Sequence, residues 1–289
     1  MRFFGISNAA ATVATLALLG FTGVANAETE LTKLLPQGVR DAGVLKVGGP
    51  TAISPYMYVD ESGKLGGVIH DLMNAVGEKL GVPVEFSNIN YSALIPALQA
   101  ERVDVGIGTF TDTLQRQEQI DFVDYIKTNM VLMGRPETEE RIKAVADLCG
   151  FTAASPSGTT SEIVMKAQVD KCKEEGKPGM NVLIVPSPAE AQLQVQTGRA
   201  DVFIQAYGVG IGIQASGQGL EILGEPFRPE YHGAGISKGN KELADALIAG
   251  FKAVMEDGSY AEILAKYDIS VLALDEPVFN GTSTKPLAE

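Results

Sequence analysis

Leu94-Ile-Pro-Ala-Leu-Gln-Ala-Glu-Arg-Val-Asp-Val-Gly-Ile-Gly-Thr-Phe-Thr-Asp-Thr-Leu-Gln-Arg116 is the stretch whose reading decides the fold. Leu94, Ile95 and Leu98 form an apolar stripe at helical spacing, and Ser92 just before them is a candidate cap. Val103, Val105 and Ile107 then alternate with Asp104, Gly106 and Gly108, which is the period of a strand. Thr109 and Thr111 follow where that strand runs out, the place where small ligands sit in an open α/β sheet. Arg116 closes the loop. Two hydroxyls and a guanidinium suit a carboxylate, because arginine offers a planar fork of donors. Taken singly, each of these residues reads as an ordinary strand or a solvated loop; the whole run in order does not.

The same alternation extends in both directions. Leu45-Lys-Val-Gly48 reads as a first short strand. Ile69, Leu72, Met73, Val76 and Leu80 share one face of a helix that Gly81 ends, with Pro83 beyond. Val84-Glu-Phe86 is the next strand, so the first half is βαβαβ and implies a mostly parallel, doubly wound sheet. A second unit follows. Ser187-Pro-Ala-Glu190 is a capping box with proline at the first helical position, and Gly198 ends that helix. Its tail, Arg199-Ala-Asp201 entering Val202-Phe-Ile204, lines up with Arg102-Val-Asp104 entering Val105-Gly-Ile107, which points to two similar α/β lobes. Asn240 to Tyr267 is helical, with Leu243, Leu247, Phe251 and Val254 in a stripe. No linker rich in Pro, Gly or Ser separates the lobes, so the chain is expected to cross between them in extended segments near Lys127–Val131 and Tyr231–Ile236. From about Asp275 the sequence reads as a loosely held tail.

The N-terminus reads as an export signal over residues 1–27. Arg2 is the one charge before an apolar stretch from Ala9 to Val24, and Ala25-Asn26-Ala27 is an A-x-A cleavage site. That stretch is too short, and too rich in Ala and Gly, for a comfortable membrane span. No Cys lies at the cleavage point for lipid attachment, and no other segment is apolar enough to cross a bilayer. The formal net charge of −13 argues against nucleic acid, which needs a basic footprint. Cys149 and Cys172 are the two cysteines. Export favours a disulfide between them. Free buried thiols are an alternative, and half of a metal site is a poorer one without CxxC spacing or a nearby His.

The chain from about Val44 to Tyr267 resembles the solute-binding proteins of bacterial ABC transporters for polar amino acids, known as extracellular solute-binding proteins, family 3. The resemblance rests on the opening run and on Val47-Gly48, Pro55-Tyr56, Gly63-Lys-Leu-x-Gly67, Asp71-Leu72, Asp121-Phe122, Ser157-Gly-Thr-Thr160 and Ser237-Lys-Gly-Asn-Lys-Glu-Leu243. It implies two doubly wound α/β lobes joined by a two-segment hinge, the type II periplasmic binding arrangement. Lobe 1 is then 28–130 with 232–289, and lobe 2 is 131–231. It further implies that Arg116 binds the ligand's α-carboxylate, helped by Gly108, Thr109 and Thr111 from one lobe. Ser157 and Thr159 or Thr160, at a helix N-terminus with free N–H groups, would meet the same anion from the other lobe. Tyr91 takes the place of an aromatic beside the ligand side chain, and Tyr56 is a second candidate wall.

The departures matter as much. The resemblance puts an aspartate that holds the α-ammonium at the end of the second lobe's strand, where this chain has Ala206. Two other family positions fall on Pro50 and Ile53, and Ile69 stands where an aspartate is usual. A buried ammonium needs a charged or well-bonded partner, so a ligand with a carboxylate and a substituted, cyclic or quaternary nitrogen is expected to fit better. Gln205 or Tyr207 would supply hydrogen bonds there, and Glu190 or Asp71 a charge from elsewhere.

The expected function is a monomeric periplasmic receptor, cleaved after Ala27. It hands a small zwitterionic or carboxylate ligand to its ABC-transporter permease in the inner membrane. The rival readings are a dehydratase-like enzyme on the same fold and a ligand-sensing module. An enzyme needs a general acid or base, and the assigned cleft positions carry Thr, Tyr, Ser, Gln and Ala, with no His, Glu or Lys. A sensor would be expected to continue into a membrane helix. No cofactor or metal is expected: Gly208, Gly210 and Gly212 lack GxGxxG spacing, and His70 and His232 have no partner at recognisable spacing.

Overall fold

Two long strands, Ile120–Gly134 and Glu221–Ser237, run antiparallel beside each other and carry the chain between two lobes. The computed structural model describes Met1 and residues 30–288. The expected signal segment, apart from Met1, and its cleavage site lie outside the described residues.

In lobe 1 the strand Leu45–Gly49 pairs in parallel with Val84–Asn88 on one side and with Val105–Gly106 on the other. Gly235–Ile236, from the second long strand, then closes antiparallel on Val105–Gly106. Lobe 2 repeats the plan. Thr152–Pro156 pairs in parallel with Asn181–Val185 and with Val202–Ala206, and Val202–Ala206 pairs antiparallel with Met130–Gly134 of the first long strand. Each lobe is thus ordered second, first, third, and then the long strand that has just entered it. This order leaves a crevice at the carboxyl ends of the first and third strands, and the two crevices face one another.

The repeated Arg-x-Asp has a structural meaning. The Asp104 N–H donates to the Lys46 carbonyl at 2.9 Å, while the Lys46 N–H donates to the Asp104 carboxylate at 2.8 Å. Asp201 and Thr152 do the same in lobe 2, at 2.7 and 2.9 Å. One aspartate therefore clamps the start of the third strand to the start of the first in both lobes.

The helices follow their apolar stripes. Val68–Leu80 buries Ile69, Leu72, Met73, Val76 and Leu80 and packs on Lys241–Glu256, which buries Leu243, Leu247, Phe251 and Val254. Ser187 caps Pro188–Gln196 by accepting from the Glu190 N–H. Cys149 and Cys172 form a disulfide, with Cα atoms 5.6 Å apart, that ties the helix Thr160–Glu174 to the segment before lobe 2's first strand. No described helix is long and apolar enough to cross a membrane.

Two expectations are corrected. The helix holding Leu94 spans Tyr91–Gln99 with Asn90 at its cap position, so Ser92 lies inside it and caps nothing. The long strand Glu221–Ser237 also shifts register on both sides of Phe227, in a stretch that contains Pro226 and Pro229, which have no N–H to donate. The tail is not loose. Ala273–Phe279 is a strand on Val123–Ile126, Asn280 accepts from the Phe122 N–H at 2.8 Å, and Gly281 N–H donates to Asp124 at 2.8 Å.

Candidate functional site

The cavity lies where the two crevices meet, with an empty volume of about 380 Å³. Lobe 1 contributes Tyr91, Thr109 and Thr111 to its lining. Lobe 2 contributes Pro156, Thr159, Thr160, Ser161, Pro188, Ile204, Gln205 and Ala206, and the long strands add Met130, Glu230 and His232. Of the residues singled out from sequence, Tyr91, Thr109, Thr111, Thr159, Thr160 and Gln205 therefore line it. Tyr56, Gly108, Arg116, Ser157 and Tyr207 do not.

The lobe 1 wall is built around Tyr91. Its hydroxyl bonds Thr109 Oγ1 at 2.7 Å and accepts from the Thr109 N–H at 2.8 Å. Burial pushes this phenol up to about 12, so it stays neutral. Gly108 makes the contact sterically feasible: its φ is +135°, and a Cβ there would fall 2.7 Å from the Tyr91 hydroxyl. Arg116 sits behind this wall. It donates to the Thr111 carbonyl at 2.6 Å and across the cleft to the Gly158 carbonyl at 2.9 Å, with its guanidinium 4.7 Å from the Phe110 ring centroid. Burial lowers it to about 10, with the charge of Glu230 opposing, which still leaves it a cation at neutral pH.

On lobe 2 the first turn of Thr160–Glu174 faces the cavity. Thr159 is spent on the helix: it caps the Glu162 N–H, donates to the Pro156 carbonyl at 2.7 Å and bonds Ser161. Thr160 is free. Its hydroxyl is buried without a partner at a helix N-terminus, where N–H groups and the helix dipole favour an anion. Of the two threonines left open by the sequence, Thr160 is the better placed. The Ser157 N–H donates to the Val185 carbonyl at 2.9 Å.

The second long strand carries what sequence reasoning missed. Glu230 and His232 are two apart, so both project to one face of the strand, into the cavity. Both are buried. Glu230 Oε1 accepts from Thr111 Oγ1 at 3.3 Å and meets His232 Nε2 at 3.1 Å, while Glu230 Oε2 is buried without a partner. A carboxylate oxygen accepts, so a hydrogen belongs on Nε2; Nδ1 is also buried and unpartnered. Tyr56, fully buried, stands edge-on to His232 with ring centroids 6.2 Å apart. Burial, then the Glu230 charge, push its unpartnered phenol well up. The expectation of a cleft without His or Glu is therefore corrected, as is the assignment of His232 away from the site. The signal was present: a strand that crosses between lobes must expose alternate residues to the cleft, and Glu-Tyr-His at 230–232 sits at that crossing.

The acids named earlier as substitutes are engaged elsewhere. Asp71 accepts from Lys266 at 2.6 Å and Tyr267 at 2.8 Å, and Glu190 serves its own helix cap. Tyr207 begins the helix Tyr207–Ala215 and lies outside the lining. No group of three or more metal-ligating side chains occurs among the described residues.

Fold and cleft together define a class: a two-lobed binding protein of the type II periplasmic arrangement, with its site between the lobes. Residues 45–269 match the family model of the bacterial extracellular solute-binding proteins, family 3, and the chain belongs to that family. It is similar to an arginine-binding protein of Corynebacterium glutamicum, 26% identical over 87% of this chain and 83% of that one. Among solved structures it is similar to an ancestral arginine-binding protein bound to arginine (32% identity, TM-score 0.72, 78% of this chain and 98% of that one). It is also similar to an ancestral amino acid-binding protein described as a precursor of cyclohexadienyl dehydratase (27%, TM-score 0.72, 80% and 97%).

Proposed function

We propose that this protein is a monomeric periplasmic receptor, released by cleavage after Ala27, that binds a free α-amino acid between its lobes and delivers it to the permease of an ABC importer. The lobes of the proposal are 28–130 with 232–289, and 131–231. The observation that carries it is the set of buried polar atoms without partners on residues that line one cavity: Thr160 Oγ1, Glu230 Oε2 and His232 Nδ1. Such atoms are costly to bury, and a ligand that pairs them recovers that cost. They divide by chemistry. Thr160 with its helix N-terminus, backed by Arg116, suits a carboxylate. The unpartnered Glu230 oxygen offers an acceptor to an ammonium.

This reverses the expectation drawn from Ala206. The charge absent from the end of the second lobe's strand is supplied from the crossing strand by Glu230, which lines the same cavity. A quaternary nitrogen has no N–H to offer this acceptor, so betaines fit the site worse than free amino acids. Isothermal titration against the twenty amino acids and glycine betaine tests the proposal. At least one free amino acid is expected to bind with a Kd of roughly micromolar or tighter. Glu230→Gln is expected to weaken it by about thirtyfold or more, the cost of leaving a buried charge unpaired. Tight binding of betaine with none of a free amino acid would overturn it.

A second reading, catalysis, has one observation in its favour: Glu230 and His232 form a hydrogen-bonded pair able to move a proton inside the cleft. The two readings separate on product analysis. A receptor returns its bound ligand chemically unchanged after prolonged incubation, and an enzyme does not.

A further inference from the structure

The cleft does not end at Glu230. A second cavity, with an empty volume of about 850 Å³ counted out to its open mouth, shares Pro188 and Gln205 with the first. It lies between the lobe 1 hairpin, Ala52–Ile53 and Met57–Val59, and the lobe 2 helices Pro188–Gln196 and Tyr207–Ala215. Gly208 and Gly212, one turn apart on that last helix, let the hairpin approach closely. A Cβ on Gly208 would fall 2.7 Å from the Tyr56 hydroxyl, and one on Gly212 would fall 3.1 Å from Pro55. A ligand held by its α-carboxylate and α-ammonium in the first cavity has this space for its side chain.

The chemistry of the lining is uniform. Its polar residues are Ser54, Tyr58, Gln192, Gln205, Ser216 and Gln218, and no Asp, Glu, Lys, Arg or His is among the described residues that line it. One glutamine is held by the backbone and the other two by each other. Gln205 Oε1 accepts from the Ala206 N–H at 3.0 Å; a backbone N–H can only donate, so the oxygen is fixed there and the amide NH2 is left over at the neck. Gln192 donates through Nε2 to Gln218 Oε1 at 2.6 Å, which leaves the Gln192 oxygen and the Gln218 NH2 unpaired by each other. The channel thus presents both donors and acceptors, all neutral.

Resting on the amino-acid reading above, we infer that the ligand's side chain is long, polar and uncharged, ending in an amide or ureido group that both donates and accepts. A guanidinium or ammonium tail would enter the channel without a carboxylate to meet it, and a carboxylate tail would find no cation. This sets the chain apart from the arginine-binding proteins it resembles in sequence and structure.

The test is a pair of near-isosteric comparisons by isothermal titration on the protein: L-citrulline against L-arginine, and L-glutamine against L-glutamate. In each pair the neutral member is expected to bind about tenfold tighter or more, because the charged tail is only partly desolvated. Gln205→Glu, which puts a carboxylate at the neck, is expected to shift the arginine-to-citrulline ratio toward arginine by a similar factor. Equal or tighter binding of arginine by the unaltered protein overturns the inference, and if that binding is still lost in Glu230→Gln the amino-acid reading survives. An unshifted ratio in Gln205→Glu, with an unchanged melting temperature, also overturns the side-chain placement. Failure of every amino acid to bind overturns both.

Discussion

Arg116 holds the cleft from behind, with one arm on each lobe: Nη1 on the Thr111 carbonyl and Nη2 on the Gly158 carbonyl. On the proposed reading Arg116 backs the ligand's carboxylate, so Arg116→Ala, which also removes the bond between lobes, is expected to lower affinity by about 2–5 kcal/mol. Arg116→Lys should restore only part, since one ammonium lacks the fork that reaches both carbonyls. Titration calorimetry on the two variants checks this, and near-wild-type affinity in Arg116→Ala would rule the role out. A second buried charge sets a pH dependence. Burial first, and then the facing charge of Asp112, push the Asp124 carboxyl well above the ordinary carboxylate range. The native state then keeps a proton that the unfolded chain has lost above about pH 4, so this group makes the fold less stable as pH rises toward neutral. Asp124→Asn can still accept the Gly281 N–H and does not titrate. It should melt higher than the unaltered protein at about pH 7, with the gain vanishing near pH 4; a constant difference across that range would contradict the assignment. At this scale the sequence was only partly readable. Thr109, Thr111 and Arg116 stand in one loop and announce themselves together. Glu230 does not, because its Thr111 partner is 119 residues away and only the folded sheet unites them.

Elements were more legible than side chains where their signals were local. The helix cap at Ser187, the stripe from Leu243 to Val254 and the paired Arg-x-Asp turns each carry their cause within a few residues, and each forms where expected, though Glu190 takes the Ser187 hydroxyl rather than closing a capping box. The strand Ala273–Phe279 carries no such signal. Asp275, Glu276 and Pro277 read as a loop, and the segment becomes a strand only because Val123, Asp124 and Ile126 offer it a free edge. The Cys149–Cys172 disulfide fixes one helix of lobe 2 over a loop with a sequence separation of 23. Its reduction is expected to lower stability by about 3 kcal/mol, read from urea unfolding with and without dithiothreitol under otherwise identical conditions. Identical midpoints in the two conditions would show that the cross-link contributes nothing.

The whole molecule is drawn closed. Besides the Arg116 bond, Gly158 lies so near lobe 1 that a Cβ on it would fall 2.7 Å from Ser92 Cα, and its φ of +77° already favours glycine. Gly158→Val should therefore prop the lobes apart while leaving Thr160, Glu230 and His232 in place. Small-angle scattering with saturating ligand is expected to show a larger radius of gyration than the unaltered protein at saturation, together with weaker binding. Equal radii would mean that the contact does not gate closure. The doubled plan of the lobes hides an asymmetry in time. The parallel strands of each lobe lie in one uninterrupted stretch, but lobe 1 has in addition to wait for Gly235–Ile236 to reach Val105–Gly106 and for Ala273–Phe279 to reach Val123. Contacts between distant parts of a chain form late, because the entropy of closing the intervening loop comes before any reward. The half that is made first is thus the half finished last. Pulsed hydrogen exchange during refolding should find the amides of Val202–Ala206 protected before those of Ala273–Phe279, and the opposite order would refute this sequence of events.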